Sequence, residues 1–264
     1  MSSTQLLTFA AVLVGLFFVM PVVLLRLSQR APGVPHLVPI SADRVSQPLG
    51  ELLKRVVDPL IGAGFTLQGY VEGPASPGAK VGIRYIVFLS APDRSTWAMA
   101  RGIQRSVVSG DASFEADVEF TTLFTGDAEV DTNSSSVLGF FVRPPRKAVY
   151  AFPSERNPLT LYALHTRLVE RHRRQWGAPD APPSTLEEGL ERIRRLWPRE
   201  FEQQAAAGVF SRAGDGTYRL TWKGAIRGVA LLGTPGKQIR GALRRSRAAK
   251  LAAELRALPE RSAL

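Results

Sequence analysis

The chain has no cysteine. That excludes disulfides, thiolate catalysis, thiolate metal sites and the lipid-modified cysteine of a lipoprotein. Histidine is scarce: His36, His165 and His172 are the only three. Met1 to Gln5 carry no basic side chain, and the stretch Arg26-Leu27-Ser28-Gln29-Arg30 after the apolar run carries no cleavage signature, so the features of a cleaved export signal are missing. Nucleotide loops are missing too. Gly62-Ala63-Gly64 has Leu67 where the dinucleotide fingerprint needs its third glycine. Gly236-Lys237 has Gln238 in place of the phosphate loop's Ser or Thr, and Leu231 in place of its first glycine. There is no Gly-x-Ser-x-Gly nucleophile elbow.

What stands out instead is the uncharged, apolar run from Leu6 to Leu25. About 20 apolar residues suffice for a helix to cross a bilayer, and Thr8, Gly15 and Pro21 are tolerable within one. The run predicts a transmembrane anchor over 1–30, with the lipid bilayer as partner through residues 6–25. Arg26 and Arg30 follow it, so the positive-inside rule places the body in the cytoplasm. The expected location is the inner membrane, single-pass, with a cytoplasmic C-terminal body.

Residues 31–42 hold Pro32, Pro35 and Pro39 without formal charge and read as a stiff linker. Residues 43–157 read as an α+β domain. Leu49, Leu52, Leu53, Val56, Val57, Leu60 and Ile61 recur at helical spacing, though Pro59 should kink or end that helix early. Strand-like runs follow at 65–71, 81–89, 97–100, 118–124, 129–132, 140–142 and 148–152. They predict an antiparallel sheet with the first helix packed on one face.

From 158 to 235 the pattern is helical with a β-hairpin. Helices are expected over 159–176 and from Ser184, where Ser184-x-x-Glu187 is a capping box, to Trp197. A short helix from Pro198 to about Gly208 precedes the hairpin of 209–212 and 217–222. The segment Tyr218-Arg219-Leu220-Thr221-Trp222-Lys223-Gly224 resembles the last wing of winged-helix regulators, so a winged-helix-like region is expected here. A basic helix closes the chain within 236–264.

Charge is blocked. Asp111 to Asp131 holds seven acids and no base, for −7; Gly139 to Gln175 and Gly236 to Leu264 each sum to +6. The acidic block is expected to dock on a basic one. Asp127, Glu129 and Asp131 alternate and would share a strand face, but Thr132 and Leu138 stand where a calcium loop needs Gly and Glu. A solvated hairpin face is the better reading, and no metal or cofactor site is assigned. His165 and His172, seven apart on one helix, lie about 10 Å apart along its axis, too far for one ion. They read as packed or partly buried imidazoles.

The remaining candidate site is the basic helix. With Lys237, the residues Arg240, Arg244, Arg245, Arg247 and Lys250 cluster within about four turns, with leucines among them, and these five suit contact with anionic lipid headgroups or nucleic acid. Glu200 and Glu202, near the wing, would repel phosphates, so nucleic acid is the weaker partner.

The order of one span, Gly64-Phe65, Val118-Glu119-Phe120-Thr121-Thr122-x-Phe124, Val130-x-Thr132-Asn133, His165 and Tyr218-x-Leu220-Thr221-Trp222-Lys223-Gly224-Ala225 resembles a group of uncharacterised single-span bacterial membrane proteins. The resemblance covers nearly the whole chain and implies architecture and membrane residence, not an activity. The leading expectation is a membrane-anchored, cytoplasmic-facing, non-enzymatic module that binds a protein partner or the membrane surface. The alternatives are a membrane-tethered metal-dependent hydrolase or ligand-binding enzyme, and a membrane-bound winged-helix-like regulator.

Overall fold

The computed structural model describes residues 3–73, 81–106, 112–135, 141–233 and 236–257. Asp111, Leu138 and Phe140, used above, lie outside the described residues. The chain divides into two compact units. The smaller comprises Met1–Val34, Leu138–Pro144 and Leu196–Ala242; the larger comprises Pro35–Val137, Pro145–Arg195 and Leu243–Leu264.

The larger unit is built on a seven-stranded sheet: β2 (Val38–Ile40), β3 (Thr66–Glu72), β4 (Val81–Ser90), β5 (Thr96–Ser106), β6 (Ala112–Phe124), β7 (Ala128–Asn133) and β8 (Lys147–Ala151), in that spatial order. Every neighbouring pair is antiparallel except β7 and β8, which are parallel. The linker expected over 31–42 thus includes an edge strand, where Pro39's missing donor is tolerated.

One face of the sheet carries the main core. Val87, Leu89, Ala98, Ala100, Phe120 and Val130 point to it. Helix α2 (Gln47–Gly62) covers it with Leu49, Leu53, Val57 and Leu60. Gly102 permits this close approach, because a methyl there would lie 3.3 Å from both Leu49 and Leu53. The helix runs past Pro59 to Gly62. Proline in the last turn forfeits a single backbone bond, and Ala63 still donates to the carbonyls of Pro59 and Leu60. Helix α3 (Pro158–Trp176), capped by the Asn157 side chain, adds Leu161, Leu164 and Leu168 to the same core. The second face is apolar only toward β3–β5. There Leu186 and Leu190 of helix α4 (Leu186–Ala206) meet Phe88 and Trp97. The cap of α4 sits one residue beyond the predicted box: Glu188 accepts from Ser184, and Thr185 accepts from the Glu188 N–H at 3.2 Å.

The smaller unit has a three-stranded sheet of β1 (Arg30–Ala31), β10 (Tyr218–Leu220) and β9 (Phe210–Arg212), with β10 central. Its core gathers Phe201, Val209, Phe210, Tyr218, Leu220 and Ala225. Helix α1 (Ser3–Ser28) packs along helix α5 (Trp222–Leu232). Helix α6 (Gly236–Ala257) ends the described chain.

Several expectations are corrected here. Among the described residues no helix is long and apolar enough to cross a membrane. This overturns the transmembrane anchor at 6–25, the single-pass topology and the inner-membrane location, along with the orientation drawn from Arg26 and Arg30. Part of the run has a protein partner instead: Val22 and Leu25 of α1 pack against the Phe201–Tyr218 core. The winged-helix-like grouping is also absent. Its first helix, α3, belongs to the sheet core of the larger unit. Its wing ends at Leu220, because Thr221 caps a helix by accepting from the Gly224 N–H at 3.0 Å. Pro198 does not divide α4, and Phe141–Val142 forms no strand.

Candidate functional site

Two places concentrate polar chemistry. The first is the part of the sheet's second face that α4's leucines do not cover. Strand alternation brings Arg101 of β5, Asp117, Glu119 and Thr121 of β6, Glu129 and Asp131 of β7 and Lys147 of β8 onto it. Register pairs Arg101 with Asp117, Thr121 with Asp131 and Glu129 with Lys147.

Arg101 grips Asp117 with both prongs, Nε to Oδ1 at 2.7 Å and Nη2 to Oδ2 at 3.2 Å, and donates from Nη1 to Glu119 at 2.9 Å. Lys147 Nζ bridges Glu129 at 3.2 Å and Asp131 at 3.0 Å. The Thr121 hydroxyl donates to Asp131 at 2.8 Å. Asp117 and Asp131 side chains are only 1% and 3% exposed. Burial pushes the carboxyl of Glu129 up to about 9, and the negative charge of Asp131 adds to the shift. Burial alone would raise Asp131 as well, but Lys147 and the hydrogen bonds from Glu129, Lys147 and Thr121 outweigh it and hold Asp131 below its ordinary value.

The acidic block is thus folded inward onto its own sheet, and one of its partners, Lys147, comes from the first basic block. Asp127 is left at the turn, with φ of 60°, away from the alternating face. Among the described residues no group of three or more His, Asp or Glu side chains is placed to hold a metal ion. Arg101 and Lys147 occupy the positions where such an ion would have to compete.

His165 is fully buried, its two ring nitrogens 2.9 Å from the hydroxyls of Thr122 and Thr132. Burial drives its pKa down to about 3, so the ring is neutral and spans the threonines as one donor and one acceptor. Thr122 continues the chain to Thr96 at 2.7 Å. His172 instead lies half-buried, stacked on Trp176 with centroids 4.3 Å apart and 2.8 Å from the Tyr150 hydroxyl.

The second place is α6. Its inner side is apolar: Ala252 and Leu255 are buried in the larger unit's core, with Ala248 and Leu251 beside them. The five predicted basic residues separate around the helix. Arg244 turns inward and donates to the Ser135 carbonyl at 3.2 Å. Arg240 is half-buried, with its Nη1 shielded from solvent and unpartnered. Arg245, Arg247 and Lys250 are exposed. Leu243, Arg247 and Lys250, spaced four and three apart, share one outward face, with Leu243 50% exposed. Docking by alanine and leucine, rather than by acids, leaves these cations outside. Sequence spacing identified the cluster but not this division, which depends on which side the sheet core buries.

No family model, curated protein or solved structure matches the chain.

Proposed function

We propose that the chain is a non-enzymatic binding module that holds a phosphate-bearing anionic partner on the outward face of α6. One observation carries this reading: Arg247 and Lys250 stand exposed on that face of a helix anchored by Ala252 and Leu255, with Arg245 exposed on another side, and none of the three pairs with an acid among the described residues. The nearest parts of the same helix behave differently, since Arg256 is tied to Glu155 at 2.9 Å and Glu254 lies 3.8 Å from Arg171. The buried acids Asp117 and Asp131 are held on the sheet by Arg101 and Lys147. The same pairing counts against a metal-dependent hydrolase, because the carboxylates that would bind the ion already hold two bases.

A basic residue beside an anionic lipid surface contributes about 1 kcal/mol. Removing the two on this face, Arg247 and Lys250, is therefore expected to weaken binding about 30-fold. The test is sedimentation of the full chain with phosphatidylglycerol-containing vesicles at low salt, against the variant Arg245→Gln, Arg247→Gln, Lys250→Gln. Unchanged binding by the triple variant would overturn the assignment to α6.

A further inference from the structure

The smaller unit presents a second surface of a different kind. On α1, Leu16, Val19, Met20 and Leu27 fall within an arc of about 100° at 3.6 residues per turn, and each is more than half exposed. Arg26 borders that arc, its guanidinium 4.5 Å from the centroid of the Trp222 ring. From Trp222, α5 continues the apolar surface to Ile226, and these two are 52% and 59% exposed. A folded unit rarely leaves a Trp, an Ile and a row of Leu, Val and Met in water side by side.

Charge indicates what covers them. Met1 to Ala42 contains Arg26 and Arg30 and no acid, and Thr221 to Ala253 contains eight bases and no acid. A second copy would set Arg26, Arg30 and Lys223 against the same three residues, an arrangement that like-charge repulsion disfavours. An anionic lipid layer meets both requirements, taking the apolar side chains among its acyl chains and the guanidinium heads among its phosphates. Trp222 suits the boundary, with an apolar ring and one polar N–H. Lys223 is fixed there by donating to the Ala207 carbonyl at 2.9 Å.

We infer that the α1–α5 face of the smaller unit docks sideways into the surface of an anionic lipid layer, with Trp222 and Ile226 entering the headgroup–acyl boundary. The contact is interfacial and does not require a helix that crosses the layer. It names the partner class of the proposed function and rests on that reading only for the long-range attraction by α6.

The test uses the full chain with vesicles of phosphatidylglycerol and phosphatidylcholine whose acyl chains carry bromine, a contact quencher of tryptophan. Bound protein should show quenching, and Trp222→Phe should remove most of it. Leu27→Asp with Ile226→Asp, both at exposed positions, should abolish quenching while low-salt binding through α6 persists. Bound protein whose Trp222 emission is unquenched would overturn the inference and leave the α6 reading standing. Quenching with no effect of the α6 triple variant would sink that reading and leave this one. No binding at all would overturn both.

Discussion

In the larger unit Asp117 is sealed under the two prongs of Arg101, with its side chain 1% exposed. In the smaller unit Asp215 and Arg219 meet at 3.5 Å with both side chains 49% exposed. Apolar surface divides the opposite way: the sheet face of the larger unit is covered by α2 and α3, whereas Trp222, Ile226 and Leu27 of the smaller unit face out. The contrast teaches that net charge says little about where a chain can attract a partner. What matters is which charges have already been consumed internally. Here the acids of β6 and β7 are held on the sheet by Arg101 and Lys147, while Arg247 and Lys250 of α6 stand exposed.

The sharpest way to break the contrast is at its buried end. Arg101→Ala strands Asp117 and Glu119 without a cation and is expected to cost about 3–5 kcal/mol in urea unfolding. Arg219→Ala, by contrast, should leave the unfolding curve unchanged, because an exposed pair contributes little. A loss of similar size at both sites would erase the distinction between the units.

The two buried titrating groups should tilt stability in opposite directions. The folded pKa of His165, about 3, lies below the ordinary 6.5, so the unfolded chain binds the extra proton between those values. Stability is full above about pH 6.5 and falls on acidification by about 1.4 kcal/mol per pH unit until the folded value is reached. His165→Gln, which can still meet both threonines, should flatten that acid limb. Glu129 is raised to about 9, so its contribution is full below the ordinary glutamate range and is lost as pH rises through about 9. Glu129→Gln should remove this alkaline slope. Thermal unfolding across pH checks both. A smaller effect, about 1 kcal/mol, is expected from Thr221→Ala, which uncaps α5.

The elements legible in the sequence were those whose burial follows one period. The α2 stripe of Leu49, Leu53, Val57 and Leu60 reads directly, as does the strand Val81 to Leu89. Strands β5 and β6 extend well beyond the predicted 97–100 and 118–124, to Ser106 and back to Ala112. Their missed portions include Arg101 and Asp117, which resemble loop residues in one dimension and become strand interior only because they pair across the register. Helix α5 was hidden by Gly224 and Gly228, which depress helical propensity yet are buried in the fold. The anchor expectation failed for a related reason. An apolar run does not reveal that Val22 and Leu25 have partners as distant in sequence as Phe201 and Tyr218. Within α6 the basic cluster was visible, but the inward turn of Arg244 toward Ser135 was not.

The measurement that bears most directly on the binding reading is the affinity of the full chain for phosphatidylglycerol-containing and pure phosphatidylcholine vesicles as salt is raised. Exposed cations on α6 should favour the anionic vesicles strongly at low salt. That preference should vanish near 1 M, where charges are screened beyond about 3 Å. Equal affinity for the two vesicle types at every salt concentration would contradict it.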